Sequence, residues 1–210
     1  MTESEELKRW NTRFGADDYV FGTEPAAFLA RQRDLFAPGQ KVLMVADGEG
    51  RNGVFLAGLG CDVVSVDFSA AGLAKMHKLA ATREVSLTTI QADIANWSWE
   101  GGPYDAVIGI FIQFAKPDLR AHIFRKMQEA LTPGGLLLLH GYTPKQIEYG
   151  TGGPSVVENL YTPELLSTAF ADMQIDHLAA YDAEIREGAG HAGISALIDL
   201  IARKRGAAAA

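Results

Sequence analysis

The sequence predicts an α/β fold, a doubly wound and mostly parallel sheet of seven strands with one antiparallel strand. Between residues 41 and 142, short apolar runs alternate with helical patterns, which is typical of a parallel sheet covered by helices. Two further strand-like runs, Gln174–Ile185 and Gly193–Arg203, have no helical segment between them. Consecutive strands joined by a loop pair antiparallel when they are neighbours, so we expect one antiparallel strand near the end of the sheet.

Five strands of the parallel region are predicted from apolar runs that are too short to be helices. The first run is continuously apolar, as expected of a strand that is buried on both faces. In chain order these strands are Val42–Ala46, Asp62–Asp67, Ser86–Ala92, Ala106–Phe111 and Leu136–Tyr142.

Local start and stop signals predict the helices of this region, which are Asn52–Leu59, Ala70–Ala81 and Pro117–Leu131. Gly60 is expected to end the first helix in a left-handed conformation. Ser69 is expected to cap the second by accepting a hydrogen bond from a free backbone N–H. The Thr132-Pro-Gly-Gly segment follows the third as a breaker.

The remaining segments complete the predicted organisation as a single domain. Residues 143–154 are rich in glycine and proline and are expected to form a mobile loop around a short helix, and Thr162 with Pro163 begins a further helix. Glu5–Trp10 and Pro25–Phe36 have helical patterns. We therefore expect residues 1–38 to be a helical appendage or lid, residues 39–205 the core, and residues 206–210 a frayed tail.

Composition and charge exclude several classes of protein. The formal net charge of −7 argues against binding nucleic acid by phosphate neutralisation. No apolar run approaches the roughly 18 residues of a membrane span, and the acidic start is unlike a secretory signal. The single Cys61 fits a reducing compartment, and the histidines lack metal-ligand spacing. A cytoplasmic protein with a small-molecule ligand and no metal is expected, and the oligomeric state stays open.

A glycine-rich turn after the first strand predicts a nucleoside site. Gly48 and Gly50 allow a tight turn and a close approach to a ligand. Asp67 ends the second strand, where a carboxylate can accept both hydroxyls of a ribose. Asp93 follows the third strand, where it can accept the exocyclic amine of adenine while Ile94 flanks the ring.

The spacing Gly48-x-Gly50-x-x-Gly53 also satisfies the dinucleotide fingerprint, so an NAD-dependent oxidoreductase is an alternative. The absence of a separate substrate domain, the acid at position 93 and the lack of any tyrosine followed four positions later by lysine disfavour it. A further alternative is structural, with the glycines serving helix packing and Asp67 capping the next helix.

Five motifs resemble those of the class I S-adenosylmethionine-dependent methyltransferases, closest to the small branch of tellurite-resistance and thiopurine-type enzymes. They are Val42-Leu-Met-Val-Ala-Asp-Gly-Glu-Gly-Arg-Asn, Val66-Asp-Phe-Ser, Ala92-Asp-Ile, Tyr104-Asp-Ala-Val-Ile and Leu131-Thr-Pro-Gly-Gly. Trp10-Asn-Thr-Arg-Phe and Tyr19-Val-Phe-Gly-Thr-Glu-Pro of the appendage also resemble that branch. The resemblance implies S-adenosylmethionine as cofactor and methyl transfer to a small-molecule acceptor. A thiol or related chalcogen leads among acceptors, because such a nucleophile needs no strong base.

The resemblance also implies where the ligands bind. The implied cofactor-binding residues are Arg13, Tyr19, Gly22, Ala46, Gly48, Asp67, Phe68, Asp93, Ile94, Ile110 and Phe111. Among them, Arg13 is a candidate for holding the cofactor's carboxylate by charge-assisted bonds. The substrate-side candidates are Gln113, His140, Tyr142, Tyr161 and His191, with residues 149–154 as a lid. For His140 the alternative is a satisfied core residue, and for His191 a surface residue.

Two positions depart from the family pattern. The family has an acid where this chain has Met44, and its first loop glycine is replaced by Ala46. Alanine is tolerated at negative φ and costly at positive φ. These departures predict weaker or displaced cofactor binding, and they leave open a non-catalytic, cofactor-binding regulatory module.

Overall fold

A computed structural model of the protein describes residues 5–188 and 190–206. In this part of the chain seven strands form one sheet in the order β3-β2-β1-β4-β5-β7-β6. They are β1 (Lys41–Val45), β2 (Asp62–Asp67), β3 (Thr88–Gln91), β4 (Tyr104–Ile110), β5 (Leu131–Tyr142), β6 (Met173–Glu187) and β7 (His191–Lys204). Strand β7 pairs antiparallel with β5 and β6, and the other pairs are parallel. The predicted fold class is therefore confirmed.

The helices are α1 (Glu5–Phe14), α2 (Ala27–Arg31), α3 (Arg51–Gly58), α4 (Ala70–Thr82), α5 (Pro117–Glu129), α6 (Gln146–Tyr149) and α7 (Pro163–Ala169), with single 3₁₀ turns at Arg33–Leu35 and Val157–Asn159. The side chains of β1 alternate between two hydrophobic clusters. Leu43 and Val45 enter one cluster, whereas Val42 and Met44 enter the other. Because a strand has a side-chain period of two, both faces of β1 are buried, as its continuous apolar run predicts.

The predicted helix caps and the predicted left-handed glycine are present in the structure. The Ser69 hydroxyl accepts from the Gly72 backbone N–H at 3.1 Å, and the Thr162 hydroxyl accepts from the Leu165 N–H at 3.1 Å. Gly60 has φ of 86° and follows α3. Each signal acts within a few residues, which is why the sequence alone locates these helix ends.

Several boundaries differ from the predictions. Helix α1 continues past Trp10 to Phe14, whose buried ring packs at 5.1 Å from that of Trp10. The predicted helix Pro25–Phe36 is divided into α2 and the 3₁₀ turn that follows it. Strand β5 begins at Leu131 instead of Leu136, since Leu131 pairs with Tyr104 before an irregularity that includes the Pro-Gly-Gly segment.

Glu49 in the glycine-rich turn holds the N-terminal segment against the sheet domain. Its carboxylate pairs with Lys75 of α4 at 2.7 Å and accepts the Val20 backbone N–H at 2.9 Å. The Lys75 ammonium also donates to the Asp18 carbonyl at 2.6 Å. Both partners of this ion pair are largely buried, so the segment around residues 18–20 is fastened to the turn by charge-assisted bonds.

A second buried ion pair joins α3 to β6, and its carboxylate also holds the start of α2. The Arg51 guanidinium donates to Glu187 of β6 at 2.6 Å, and both side chains are buried. The other oxygen of Glu187 accepts the Ala27 backbone N–H at 2.9 Å, and Asn52 accepts the Ala26 N–H at 2.9 Å. The described part of the appendage is therefore packed on the core through buried polar contacts.

None of the helices in the described ranges has the length and apolar character that crossing a bilayer requires.

We expect Glu187→Gln to lower the free energy of unfolding by about 3 kcal/mol, because it leaves the buried guanidinium of Arg51 without a counter-charge. Urea unfolding followed by circular dichroism measures the change. Glu184→Gln is the matched control on the same strand, since Glu184 pairs with Arg186 in solvent. Equal losses of stability in the two variants would contradict the importance of the buried pair.

Candidate active site

A cavity of about 650 Å³ opens at the carboxyl ends of the parallel strands. It includes the junction between β1 and β4, where the order of the strands reverses. Ligands of open α/β sheets bind in this crevice, and the volume lies within the range of small-molecule sites. Strand β7 runs in the opposite direction, so its first residue, His191, lies at the same edge and lines the cavity.

The chain leaves β1 and β4 through residues in strained conformations. Ala46 has φ of 51° and Phe111 has φ of 55°, and both line the cavity. The left-handed region costs a residue with a Cβ about 1–2 kcal/mol. Strain of this kind clusters at functional sites, where the surrounding structure maintains it. The position of Ala46 therefore has the backbone geometry that suits the family's glycine.

The glycine-rich turn (Ala46–Gly50) has little space for side chains. A Cβ on Gly50 would lie 2.2 Å from Cγ of Met76, and one on Gly48 would lie 3.2 Å from the Phe14 ring. Both glycines have positive φ, at 85° and 59°. Helix α1 thus covers the turn with an aromatic ring, and the turn requires glycine for both conformation and space.

Asp47 anchors this turn from within. Its Oδ2 accepts from the Ser65 hydroxyl at 2.6 Å and from the Gly53 N–H at 3.1 Å, whereas its buried Oδ1 has no partner among the described residues. Burial raises the pKa of Asp47 to about 7, and the hydrogen bonds from Ser65 and Gly53 only partly oppose this. Asp47 was not among the predicted site residues, although an acidic residue inside the glycine-rich turn was a signal for one.

Asp67 and Asp93 reach the cavity from the ends of β2 and β3. Asp67 accepts the N–H groups of Gly48 and Ser69, each at 2.8 Å. Burial raises its pKa, and these backbone bonds partly oppose the increase. A carboxylate has about four lone-pair positions, so Asp67 retains acceptor capacity for a ribose. Asp93 caps its own turn by accepting the Ala95 N–H at 3.0 Å.

The other end of the cavity is aromatic. Its aromatic wall consists of Phe21, Phe111, Tyr142 and His191, and the ring centroid of His191 lies 4.4, 4.2 and 5.6 Å from those of the other three in that order. His191 is buried, so the surface alternative is wrong for it. Burial lowers its pKa to about 3, with Arg51, Arg13 and His140 adding to the effect. Its imidazole is therefore neutral at physiological pH.

Arg13 places a guanidinium at the aromatic wall. It stacks 5.0 Å from the Phe21 ring centroid and 5.2 Å from that of Trp10. Burial lowers the pKa of Arg13, with a smaller contribution from Arg9. Within residues 5–188 and 190–206 it forms no ion pair with a carboxylate, so its donors are available to an anionic ligand.

Most of the expected site residues converge on this cavity. Those that line it are Arg13, Ala46, Gly48, Asp67, Phe68, Asp93, Ile94, Ile110, Phe111, Gln113, Tyr142 and His191. Gln113 also has a structural role, because its amide accepts the Tyr142 N–H at 2.6 Å and donates to the Tyr142 carbonyl at 2.8 Å.

Four expected residues lie outside the lining. Tyr19 donates to the Lys75 carbonyl at 3.0 Å, and Gly22 packs against Gly188. His140 pairs with Asp199 at 2.6 Å and stacks on a phenylalanine, as the core alternative described. Tyr161 is buried against Phe124. Their contacts come from distant parts of the chain, which the sequence pattern does not reveal.

Several lining residues were not predicted, among them Trp10, Phe14, Phe21, Arg51 and Asn159. All of these except Asn159 belong to the quoted motifs, so the motifs themselves were the available signal. Asn159 had no such signal, since a 3₁₀ turn after the loop brings it to the cavity.

Residues 42–135 match a family described as a methyltransferase domain. The chain is 33% identical over 82 residues to the carboxy-S-adenosyl-L-methionine synthase of Vibrio parahaemolyticus. This match covers 38% of this chain and 33% of that protein. It is 33% identical over 129 residues to the glycine/sarcosine N-methyltransferase of Halorhodospira halochloris. That match covers 53% of this chain and 47% of the relative. The chain thus spans about a third to a half of the length of these relatives.

The fold is similar to the crystal structure of TehB from Haemophilus influenzae, with a TM-score of 0.69. The two chains are 18% identical, and the match covers 95% of this chain and 67% of TehB. At this level of identity the similarity concerns the fold.

We expect Ala46→Gly to raise the free energy of unfolding by about 1 kcal/mol, because glycine adopts the φ of 51° without a Cβ clash. Urea unfolding measures the change. Ala57→Gly, within α3, is the control and should lose stability. A loss of stability in both variants would contradict the strain at Ala46.

We expect the free energy of unfolding to fall as the pH rises, because Asp47 loses its proton. Its folded pKa, about 7, exceeds the ordinary 3.8, so between these values the folded state binds the extra proton. The contribution therefore declines by about 2–3 kcal/mol from pH 5 to pH 8. Urea unfolding at each pH should show this decline in the wild type relative to Asp47→Asn. A constant difference between the two proteins across this range would contradict it.

Proposed function

We propose, from the premise that this chain carries a class I S-adenosylmethionine-dependent methyltransferase domain, that it transfers the methyl group of this cofactor to a small-molecule thiol or related chalcogen nucleophile. The observation that carries the proposal is one continuous cavity with two unlike ends. Strand-end carboxylates line one end, and the aromatic wall with a neutral histidine lines the other. Such a cavity suits an adenosine at one end and an apolar acceptor at the other.

The residues present fit the cofactor. Asp67 would hold the ribose and Asp93 the adenine amine, and Gly48 of the glycine-rich turn lines the same cavity. Arg13 would bind the carboxylate of the methionine portion through charge-assisted bonds. When bound, the cofactor supplies an electrophilic methyl group, and the protein's part is to position the acceptor and exclude water.

Neither titratable group beside the aromatic wall, His191 or Glu187, is an effective base, which favours an acceptor that is already an anion when it reacts. His191 binds protons too weakly to act as a base near neutral pH, and the carboxylate of Glu187 is held by Arg51. A thiolate or heavier chalcogen anion needs no base during the transfer, and its polarisable atom tolerates apolar surroundings.

A cofactor-binding regulatory module is the second candidate function. It is favoured by Met44, which is buried where the family has an acid and leaves the cofactor's amino group without that carboxylate. Such a module would bind S-adenosylmethionine without releasing its demethylated product.

Calorimetry with S-adenosylmethionine, S-adenosylhomocysteine and NAD tests the cofactor, and we expect the first two to bind. Turnover assays against thiols, phenols, amines and oxyanions, followed by release of S-adenosylhomocysteine, then test the activity. Binding without turnover on any acceptor would favour the regulatory module. Binding of NAD alone would contradict the proposal.

We expect Asp67→Asn to weaken S-adenosylmethionine binding by about 1–3 kcal/mol, since it removes charged hydrogen bonds to the ribose. Calorimetry measures the affinity. Asp62→Asn, at the opposite and exposed end of β2, is the matched control and should bind normally. Unchanged affinity in Asp67→Asn would place the ribose elsewhere.

A further inference from the structure

Besides Oδ1 of Asp47, further buried polar atoms of cavity-lining residues have no partner in the described ranges. Among the described residues, the Tyr142 hydroxyl, Nδ1 of His191 and Oδ1 of Asn159 are buried without a hydrogen-bond partner, and all three residues line the cavity. A buried polar group without a partner costs about 1–3 kcal/mol. Such groups call for a specific explanation, and a ligand that pairs with them supplies one.

A covering segment, Gly152–Gly153, lies directly over the Tyr142 ring. A Cβ on Gly152 would lie 3.4 Å from the Tyr142 hydroxyl oxygen, and one on Gly153 would lie 2.7 Å from Cδ2 of Tyr142. The two glycines have φ of 136° and 81°. Bare backbone therefore approaches the ring at a distance that no side chain would allow.

A buried glutamine holds the covering segment in place. Nε2 of Gln146 donates to the Gly152 carbonyl at 3.2 Å and to the Thr151 hydroxyl at 2.9 Å. Its Oε1 accepts the Ala196 N–H of β7 at 2.8 Å. One side chain thus ties the cover to the strand that begins with His191.

Charged and titratable groups from three elements surround Tyr142. They are Glu187 of β6, Arg51 of α3 and His191 of β7. Burial and Glu187 raise the pKa of Tyr142, and Arg51 opposes this only in part. The phenol therefore stays protonated at neutral pH and can donate one hydrogen bond.

We propose that the part of the cavity lined by Tyr142 and His191 is the subsite for the acceptor's nucleophilic atom, and that the Tyr142 hydroxyl donates a hydrogen bond to this atom and so selects acceptors that bind as anions. This inference rests on the proposed function. The acceptor releases its proton to solvent before the transfer. Its sulfur lone pair then forms the new carbon–sulfur bond, and the electron pair of the broken bond stays on the departing sulfur, so no proton moves in that step.

The test uses 4-nitrothiophenol, whose thiolate absorbs visible light, bound to the protein saturated with S-adenosylhomocysteine so that no reaction occurs. Absorbance titration gives the pKa of the bound probe. We expect the wild type to lower this pKa relative to the free probe, and Tyr142→Phe to raise it by about one unit, equivalent to a tenfold weaker preference for the anion. Stability of Tyr142→Phe should not fall, because the hydroxyl has no partner in the free protein.

Tyr104→Phe is the matched control. Its hydroxyl donates to the Glu100 carbonyl at 2.8 Å outside the cavity, so this variant should lose stability and leave the bound probe's pKa unchanged. Gly153→Ala provides a second variant, since its Cβ would displace the cover from the Tyr142 ring. It should also raise the bound probe's pKa while S-adenosylhomocysteine affinity is retained.

The outcomes separate the two proposals. Normal thiol methylation together with an unchanged bound-probe pKa in Tyr142→Phe would overturn the subsite and leave the proposed function intact. A protein that binds S-adenosylmethionine but neither binds the probe nor methylates any thiol would overturn the acceptor class, and the subsite with it.

Discussion

The buried ion pair between Arg51 and Glu187 connects the two ends of the cavity. Arg51 begins α3, directly after the glycine-rich turn, and Glu187 ends β6, next to the turn that leads to His191. The same carboxylate accepts the Ala27 N–H, so the N-terminal segment is included in the contact. Two opposite charges are buried only where geometry and further hydrogen bonds offset desolvation. The pair therefore couples the position of the cofactor end to that of the aromatic wall.

Two of the four non-glycine residues with positive φ in the described ranges lie at the cavity edge of the sheet. Ala46 and Phe111 turn the chain away from β1 and β4 in left-handed conformations. These strands are neighbours across the point where the strand order reverses, and the turns in opposite directions open the crevice between them. Ala46, where the family has glycine, thus carries a Cβ in a backbone conformation that favours glycine. Met44 is a different departure, because it removes a carboxylate and leaves an apolar side chain in the core.

The two ends of the cavity differ in their electrostatics. Asp67 and Asp93 belong to one end, whereas Arg13 and a neutral His191 belong to the aromatic end. The carboxylates can accept from hydroxyl and amine donors, and the Arg13 guanidinium can pair with an anionic group. The resemblance to class I methyltransferases, stated from the motifs, is confirmed by the family match and the fold.

The sequence by itself determined the features that depend on neighbouring residues. Apolar runs located the seven strands, Ser69 and Thr162 located helix starts, and the spacing from Gly48 to Asp67 identified two residues that line the cavity. The tertiary structure decided the aromatic wall and its chemistry. Arg51 and Glu187 are separated by 136 positions, and the burial that neutralises His191 arises from rings on three distant segments. Such contacts depend on how the hairpin of β6 and β7 and the N-terminal segment pack over the sheet, and local patterns carry no record of that packing.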